Sequence, residues 1–203
     1  MNPPIDFVLW EDSRGVTKDF GPHALALACV ADEFRIDRWA LRDWVLGIPK
    51  NGAHKLLTAF RRDAIELSRR GESVIAVLDH DRAGELVGLD STACRSSILE
   101  RINAETEGAC NRHLVLLEAN VETLVTVAGT VTEALPTLIQ RACFHKDINA
   151  RDRILHRAAE PHFHDRRRIL DELRSLRRLV DLLTRLLRAC PEFAALLPSP
   201  HSQ

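Results

Sequence analysis

The sequence lacks several features that define common protein classes. It contains no tyrosine among its 203 residues. No apolar run approaches the roughly 20 residues that a membrane-spanning helix needs, so we expect no membrane contact. Residues 1–6, M-N-P-P-I-D, lack the basic and then apolar order of a secretory signal.

The cysteines form no recognisable framework. There are five of them, an odd number, and they are scattered along the chain without any C-x-x-C spacing. This pattern argues against a structural zinc site and against a disulfide scaffold. We therefore expect the protein to function in a reducing cytoplasm.

Charge is distributed unevenly along the chain. Residues 141–190 hold 13 Lys and Arg against 7 Asp and Glu, which gives +6, whereas residues 1–140 hold 15 against 21, which gives −6. The N-terminal part is therefore acidic and the C-terminal part basic.

Short apolar runs alternate with helical patterns in the first half of the chain. Strands are predicted at 5–10, 42–48, 73–79 and 112–117, although residues 39–45 also fit a helix. Helices are predicted at 21–34, 53–70 and 91–107. This order indicates an α/β fold, with a mostly parallel sheet flanked by helices.

The second half of the chain is predicted to be entirely helical. We expect an α/β domain over residues 1–128 and an all-α extension over 129–203. The last long helix, 165–189, has leucines and an isoleucine at three- and four-residue spacing and arginines on the opposite face.

Three of the four predicted strands are followed by acids. Glu11 ends the first, Asp79 and Asp81 the third, and Glu118 the fourth. In parallel sheets ligands gather at the carboxyl ends of the strands, and carboxylates there suit a hard divalent cation. The alternative is that these acids only cap turns and helices.

One of these acidic segments resembles a known family. Residues 79–85, D-H-D-R-A-G-E, are similar to the D-x-D-R-x-G-E signature of Toprim domains, which also carry a glutamate at the end of the first strand, where Glu11 stands. The resemblance covers about residues 5–120. Family members place glycine after that glutamate, whereas Asp12 follows here, so either Glu11 or Asp12 is the functional acid.

The resemblance implies phosphodiester chemistry with Mg²⁺ or Mn²⁺. It gives Glu11 the role of general base or metal ligand, Asp79 and Asp81 the role of metal ligands, and Arg82 a contact to phosphate. Glu118 or Glu122 could complete a second metal site. Alternatively, the segment around them is simply a helix capped by Asn120.

The missing tyrosine now restricts the function. Topoisomerases of this family form a covalent DNA link through a tyrosine, which this chain does not have. A metal-dependent nuclease is therefore the leading prediction. The alternatives are a receiver-like signalling domain with Asp79 as phospho-acceptor, and an inactive Toprim-like protein that binds or assembles through its C-terminal helix.

The basic C-terminal part offers contacts to a partner. Lys146 and the run Arg166, Arg167 and Arg168 are predicted to bind the backbone of DNA or RNA. An ordinary solvated helix face is the alternative. The leucine stripe of helix 165–189 could pack on the sheet, or pair with a second copy or a partner protein.

Overall fold

A computed structural model describes residues 6–11, 20–69, 72–90, 92–104, 111–118 and 120–197. The strands are β1 (Asp6–Trp10), β2 (Val45–Pro49), β3 (Val74–Leu78) and β4 (Arg112–Leu116). The helices are α1 (Gly21–Phe34), α2 (Ala53–Arg69), α3 (His80–Leu86), α4 (Arg95–Ala104), α5 (Val121–Val131), α6 (Pro136–Phe144), α7 (Ile148–Ala158), α8 (Arg166–Glu172), α9 (Arg174–Ala189) and α10 (Pro191–Ala194). A 3₁₀ turn, Arg38–Leu41, precedes β2.

The four strands form one parallel sheet in the order β2-β1-β3-β4. Strand β1 pairs with both β2 and β3, so β2 and β4 are the edges of this sheet. Helical connections join successive strands, as parallel pairing requires. The predicted α/β fold with a helical C-terminal part is confirmed.

Alternation along the strands separates two hydrophobic cores. Val8 and Trp10 of β1 belong to one core, and Leu9 between them belongs to the other. Strand β3 alternates in the same way, since Ile75 and Val77 face the first core and Ala76 faces the second. Helices α2, α3 and α4 cover the second core, and α1 covers the first.

The C-terminal helices complete the layer that α1 begins. Leu155 of α7, Leu183 of α9 and Phe193 of α10 are buried in the same core as Val8. Helix α1 packs against both α7 and α9. The core is therefore continuous across residue 128, where the sequence predicted a boundary, and the helical extension covers one face of the sheet.

An acid from this C-terminal layer caps α1. The residue before α1, Phe20, has no side chain that can cap it, and the Gly21 N–H donates to Asp152 Oδ1 at 2.9 Å instead. A carboxylate at a helix N-terminus is favoured by the helix dipole. Asp152 lies 131 residues away on α7, so both packing and capping connect α1 with the C-terminal helices.

The predicted helix 165–189 is two helices. Leu173 has a non-helical backbone, with φ −117° and ψ 87°, and separates α8 from α9. The Arg174 N–H that opens α9 donates to Glu118 Oε2 at 3.1 Å. A partner from the end of β4 therefore satisfies a backbone donor that the interruption leaves without an intrahelical acceptor. Within the described ranges, no helix combines the length and apolar character of a membrane span.

Candidate functional site

Two of the predicted acids lie at the carboxyl ends of neighbouring strands. Glu11 directly follows β1, and Asp79 directly follows β3. The Asp79 N–H donates to Glu11 Oε2 at 2.8 Å, and the Glu11 N–H continues the ladder by donating to the Val77 carbonyl at 3.2 Å. The Glu11 side chain therefore reaches across to the backbone of the next strand and is held there.

The topology explains why a crevice forms between these two residues. After β1 the chain moves to β2 on one side, through α1 on the first core, whereas after β3 it moves to β4 on the other side, through α3 and α4 on the second core. Adjacent strands whose connections leave in opposite directions form a topological switch point, where open α/β sheets bind ligands. Glu11 and Asp79 stand at this point.

A broad cleft of 840 Å³ opens beside Glu11. The turn after β2 forms its far wall, where Asn51 and Gly52 have positive φ of 54° and 122°. The Gly52 N–H donates to the Glu11 carbonyl at 2.7 Å, which fixes this turn against the end of β1. The remaining lining residues come from the first turn of α2 and from the end of α3, namely Ala53, His54, Lys55, Glu85 and Leu86.

The donors in this crevice fit a hard cation. Mg²⁺ is commonly held by one or two carboxylates, with water and substrate phosphate completing its shell. Glu11 and Asp79 supply such carboxylates at the ends of neighbouring strands. Among the described residues, no three His, Cys, Asp or Glu side chains gather as a metal site.

Other residues predicted for this site are only partly described. Asp81 and Arg82 belong to α3, and their side chains lie outside the described part of the structure. Asp12 lies outside the described residues altogether. Whether Glu11 or Asp12 is the functional acid therefore stays a prediction. The hydrogen bond from the Asp79 N–H to the Glu11 side chain favours Glu11.

The acids after β4 have structural partners. Glu118 accepts from the first N–H of α9, as described above, and no group of three described acids includes it. Glu122 forms an ion pair with the buried Arg151. Asn120 caps α5, since its side chain accepts from the Thr123 N–H at 3.1 Å. These contacts favour the capping interpretation over a second metal site.

The three consecutive arginines occupy different environments. Arg166 is only 5 % exposed, and its guanidinium donates to both carboxylate oxygens of Asp32 and to the carbonyls of Ala158 and Glu160. The predicted nucleic-acid contact of Arg166 does not fit this placement, because its donors are engaged inside the fold. Arg167 and Arg168 are exposed on α8, and Lys146 is exposed in the turn before α7.

The cleft also contains residues that the sequence did not single out. His54 and Lys55, at the start of α2, are exposed and line the same cleft as Glu11. The sequence does indicate their position, because the turn P-K-N-G follows a predicted strand. The residues after this turn therefore lie at the carboxyl edge of the sheet. Lys55 adds a cation to the acids and Arg82 that the sequence predicts at that edge.

Cys94 is expected to be the most reactive of the described thiols. Hydrogen bonds with the Ser96 and Ser97 hydroxyls, each at 3.1 Å, lower the pKa of Cys94 to about 7, whereas burial raises the pKa of Cys29 to about 12. Because the thiolate is the nucleophile, iodoacetamide should label Cys94 with a rate that rises through about pH 7.

Peptide mapping by mass spectrometry across a pH series measures this labelling. In a variant with Ser96→Ala and Ser97→Ala, the midpoint should move up towards the ordinary thiol value of about 8.5. Faster labelling of Cys143 or Cys190 than of Cys94 in the native protein would contradict the expectation.

The known proteins add no family assignment to this geometry. Comparison of the chain with models of protein families, with curated proteins and with solved structures finds no match.

Proposed function

We propose that the protein is a divalent-metal-dependent nuclease whose site lies between the carboxyl ends of β1 and β3. The observation that carries the proposal is the hydrogen bond from the Asp79 backbone N–H to the Glu11 carboxylate at the switch point of the sheet. The D-x-D-R-x-G-E segment, which begins at Asp79, supports it through its resemblance to Toprim domains.

Each residue of the site has a distinct task in this proposal. Glu11 and Asp79 hold the cation, and Glu11 is also positioned to take the proton of an attacking water. When bound, Mg²⁺ or Mn²⁺ neutralises the phosphate and stabilises the attacking and leaving oxygens. Lys55 lines the same cleft and supplies positive charge for a second phosphate of the strand.

The site needs its cation because of its own charge. Two carboxylates that share a binding site repel each other unless a cation stabilises both. The Asp79 N–H offsets part of this repulsion by donating to Glu11, and it orients the Glu11 carboxylate towards the end of β3. The arrangement is therefore suited to binding a cation rather than to metal-free acid–base catalysis.

The test compares cleavage by the native protein and by single variants. Circular plasmid, single-stranded DNA and structured RNA are incubated with Mg²⁺ or Mn²⁺, and products are separated on gels. We expect Asp79→Asn and Glu11→Gln to lower the cleavage rate by about 100-fold or more. The control Glu172→Gln removes an exposed acid of α8 and should leave the rate within about twofold.

Two measurements separate the alternatives. If the native protein binds Mg²⁺ by calorimetry but cleaves none of the substrates, the nuclease proposal fails and a binding or assembly role takes its place. If acetyl phosphate labels Asp79, the site is a phospho-acceptor of the receiver type. The receiver alternative also needs a lysine ending a fifth strand, and the described sheet has four strands.

A nuclease of this kind would have DNA or RNA as its partner, and we expect it in the cytoplasm.

A further inference from the structure

A groove lined by cations follows the free edge of the sheet. Strand β4 is an edge strand, and α4 and α9 flank it. The groove between them measures 400 Å³ and contains Arg95, Arg112, His113, Arg178 and Arg185, with leucines between the charged groups. We call these five residues the basic groove. They come from three separate elements, so the chain fold rather than a local basic run brings them together.

The described lining of the basic groove is positively charged. None of the described residues that line it is acidic. Within the described part of the chain, Arg178 and Arg185 form no ion pair, although both are exposed on α9. They are seven residues apart, which places them on the same face of the helix two turns apart.

The cations of the basic groove act on one another. Burial and then the charge of Arg178 lower the pKa of Arg95, although the nearby Glu118 acts in the opposite direction. Burial and then the charge of Arg185 lower the pKa of His113. Like charges held this close repel, and an anion bound between them would relieve that repulsion.

Protection of the sheet edge does not account for this arrangement. A charge on the edge strand itself is enough to prevent edge-to-edge pairing, and Arg112 provides one. Arg178 and Arg185 project from α9 instead, on the other side of the groove. In addition, the Arg95 guanidinium donates to the carbonyl of Leu116, the last residue of β4. That bond occupies an acceptor that an added peptide strand would need.

We propose that the basic groove binds the phosphate backbone of a single strand of nucleic acid, independently of its sequence. From Arg112 to Leu116, β4 spans about 13 Å, which is long enough for the groove to contact more than one phosphate of an extended strand. Arg95, which lines the groove, contacts the last residue of β4, at the carboxyl edge of the sheet that also carries Glu11 and Asp79. The further role of leading the strand to that site rests on the proposed function, whereas binding does not.

The test measures binding without cleavage. Fluorescence anisotropy of a labelled single-stranded oligonucleotide is recorded in EDTA at several salt concentrations. The variant Arg178→Gln with Arg185→Gln should bind at least about tenfold more weakly, and its salt slope should fall by about 1.4, because each phosphate contact to a single strand contributes about 0.7. Glutamine is a good helix former, so helix α9 should stay folded when both exposed arginines are replaced.

Two matched double variants accompany it, each removing two positive charges. Arg153→Gln with Arg157→Gln removes exposed arginines of α7 and should keep the affinity within about twofold. Arg167→Gln with Arg168→Gln tests the arginines that the sequence suggested. Equal weakening by all three variants, or weakening only by the Arg167 and Arg168 pair, overturns the proposal.

Two further outcomes are informative. If an acidic peptide binds the groove more tightly than the oligonucleotide does, the partner is a protein and the proposal is overturned. Asp79→Asn should abolish cleavage and keep the native affinity in EDTA, which separates failure of the nuclease proposal from failure of the basic groove.

Discussion

Replacing Gly47 with alanine is expected to destabilise the protein by about 2–3 kcal/mol, near the upper end of the cost of overpacking a core. A Cβ at Gly47 in β2 would lie 2.5 Å from both Cγ and Cδ2 of His23 and 2.8 Å from its Nδ1. These distances are far below van der Waals contact, so either the imidazole or the strand must move.

Neither can move easily. His23 lies on α1 with 1 % of its surface exposed, stacked on Phe20 at 5.5 Å between ring centroids. The Trp10 indole Nε1 donates to His23 Nδ1 at 3.4 Å. Strand β2 is fixed by its ladder to β1, in which Gly47 pairs with Val8. The strain therefore has no flexible side chain to absorb it.

Urea denaturation of a double-mutant cycle provides the control. His23→Ala removes the ring that the new methyl group meets, so Gly47→Ala should cost less than about 1 kcal/mol when it is made in the His23→Ala background. An equal cost in both backgrounds would show that the effect comes from the backbone of β2 and not from the contact with His23.

The second large effect concerns the ion pair between Arg166 and Asp32. Asp32→Ala is expected to cost about 3 kcal/mol or more, because it leaves the guanidinium of Arg166 buried without a counter-charge. The Arg166 side chain is 7 % exposed, whereas that of Asp32 is 48 % exposed. Arg166→Met keeps the apolar stem and leaves an acid that water can reach, so it should cost less, about 1–2 kcal/mol.

The decisive result is which variant loses more stability, Asp32→Ala or Arg166→Met. Chemical denaturation of both single variants and of the double variant gives the coupling between the side chains. Arg168 and Asp165 form an exposed pair at 3.7 Å and serve as the control, with an expected cost below about 0.5 kcal/mol. A larger loss for Arg166→Met than for Asp32→Ala would mean that the carbonyls of Ala158 and Glu160, not Asp32, are the important partners.

The same arginine run shows what sequence can and cannot predict. Residues 166–168 have one chemical character, but Arg166 is buried and its two neighbours are exposed. The difference depends on which face of α8 packs against the core and on Asp32, which lies 134 residues earlier. Neither is visible in a local pattern. The basic groove was missed for the same reason, since it combines α4, β4 and α9.

The strands were far more predictable. Each of β1, β3 and β4 lies within its predicted range, because a short apolar run bounded by turn residues suits a buried strand. Glu11 and Asp79 could be placed together for a related reason, since parallel strands present their carboxyl ends at one edge. The break at Leu173 was not predicted, because the leucine spacing continues through it.

The dependence of α1 on the last helices sets an order for folding during synthesis. Strands β1 to β4 and the helices of the second core are made first, but the face that carries Val8 and Ile75 is covered by α1 together with α7, α9 and α10. Part of that face stays exposed until about residue 193 has left the ribosome. The nascent chain therefore presents a half-covered sheet, a form that is prone to aggregation and that chaperones recognise.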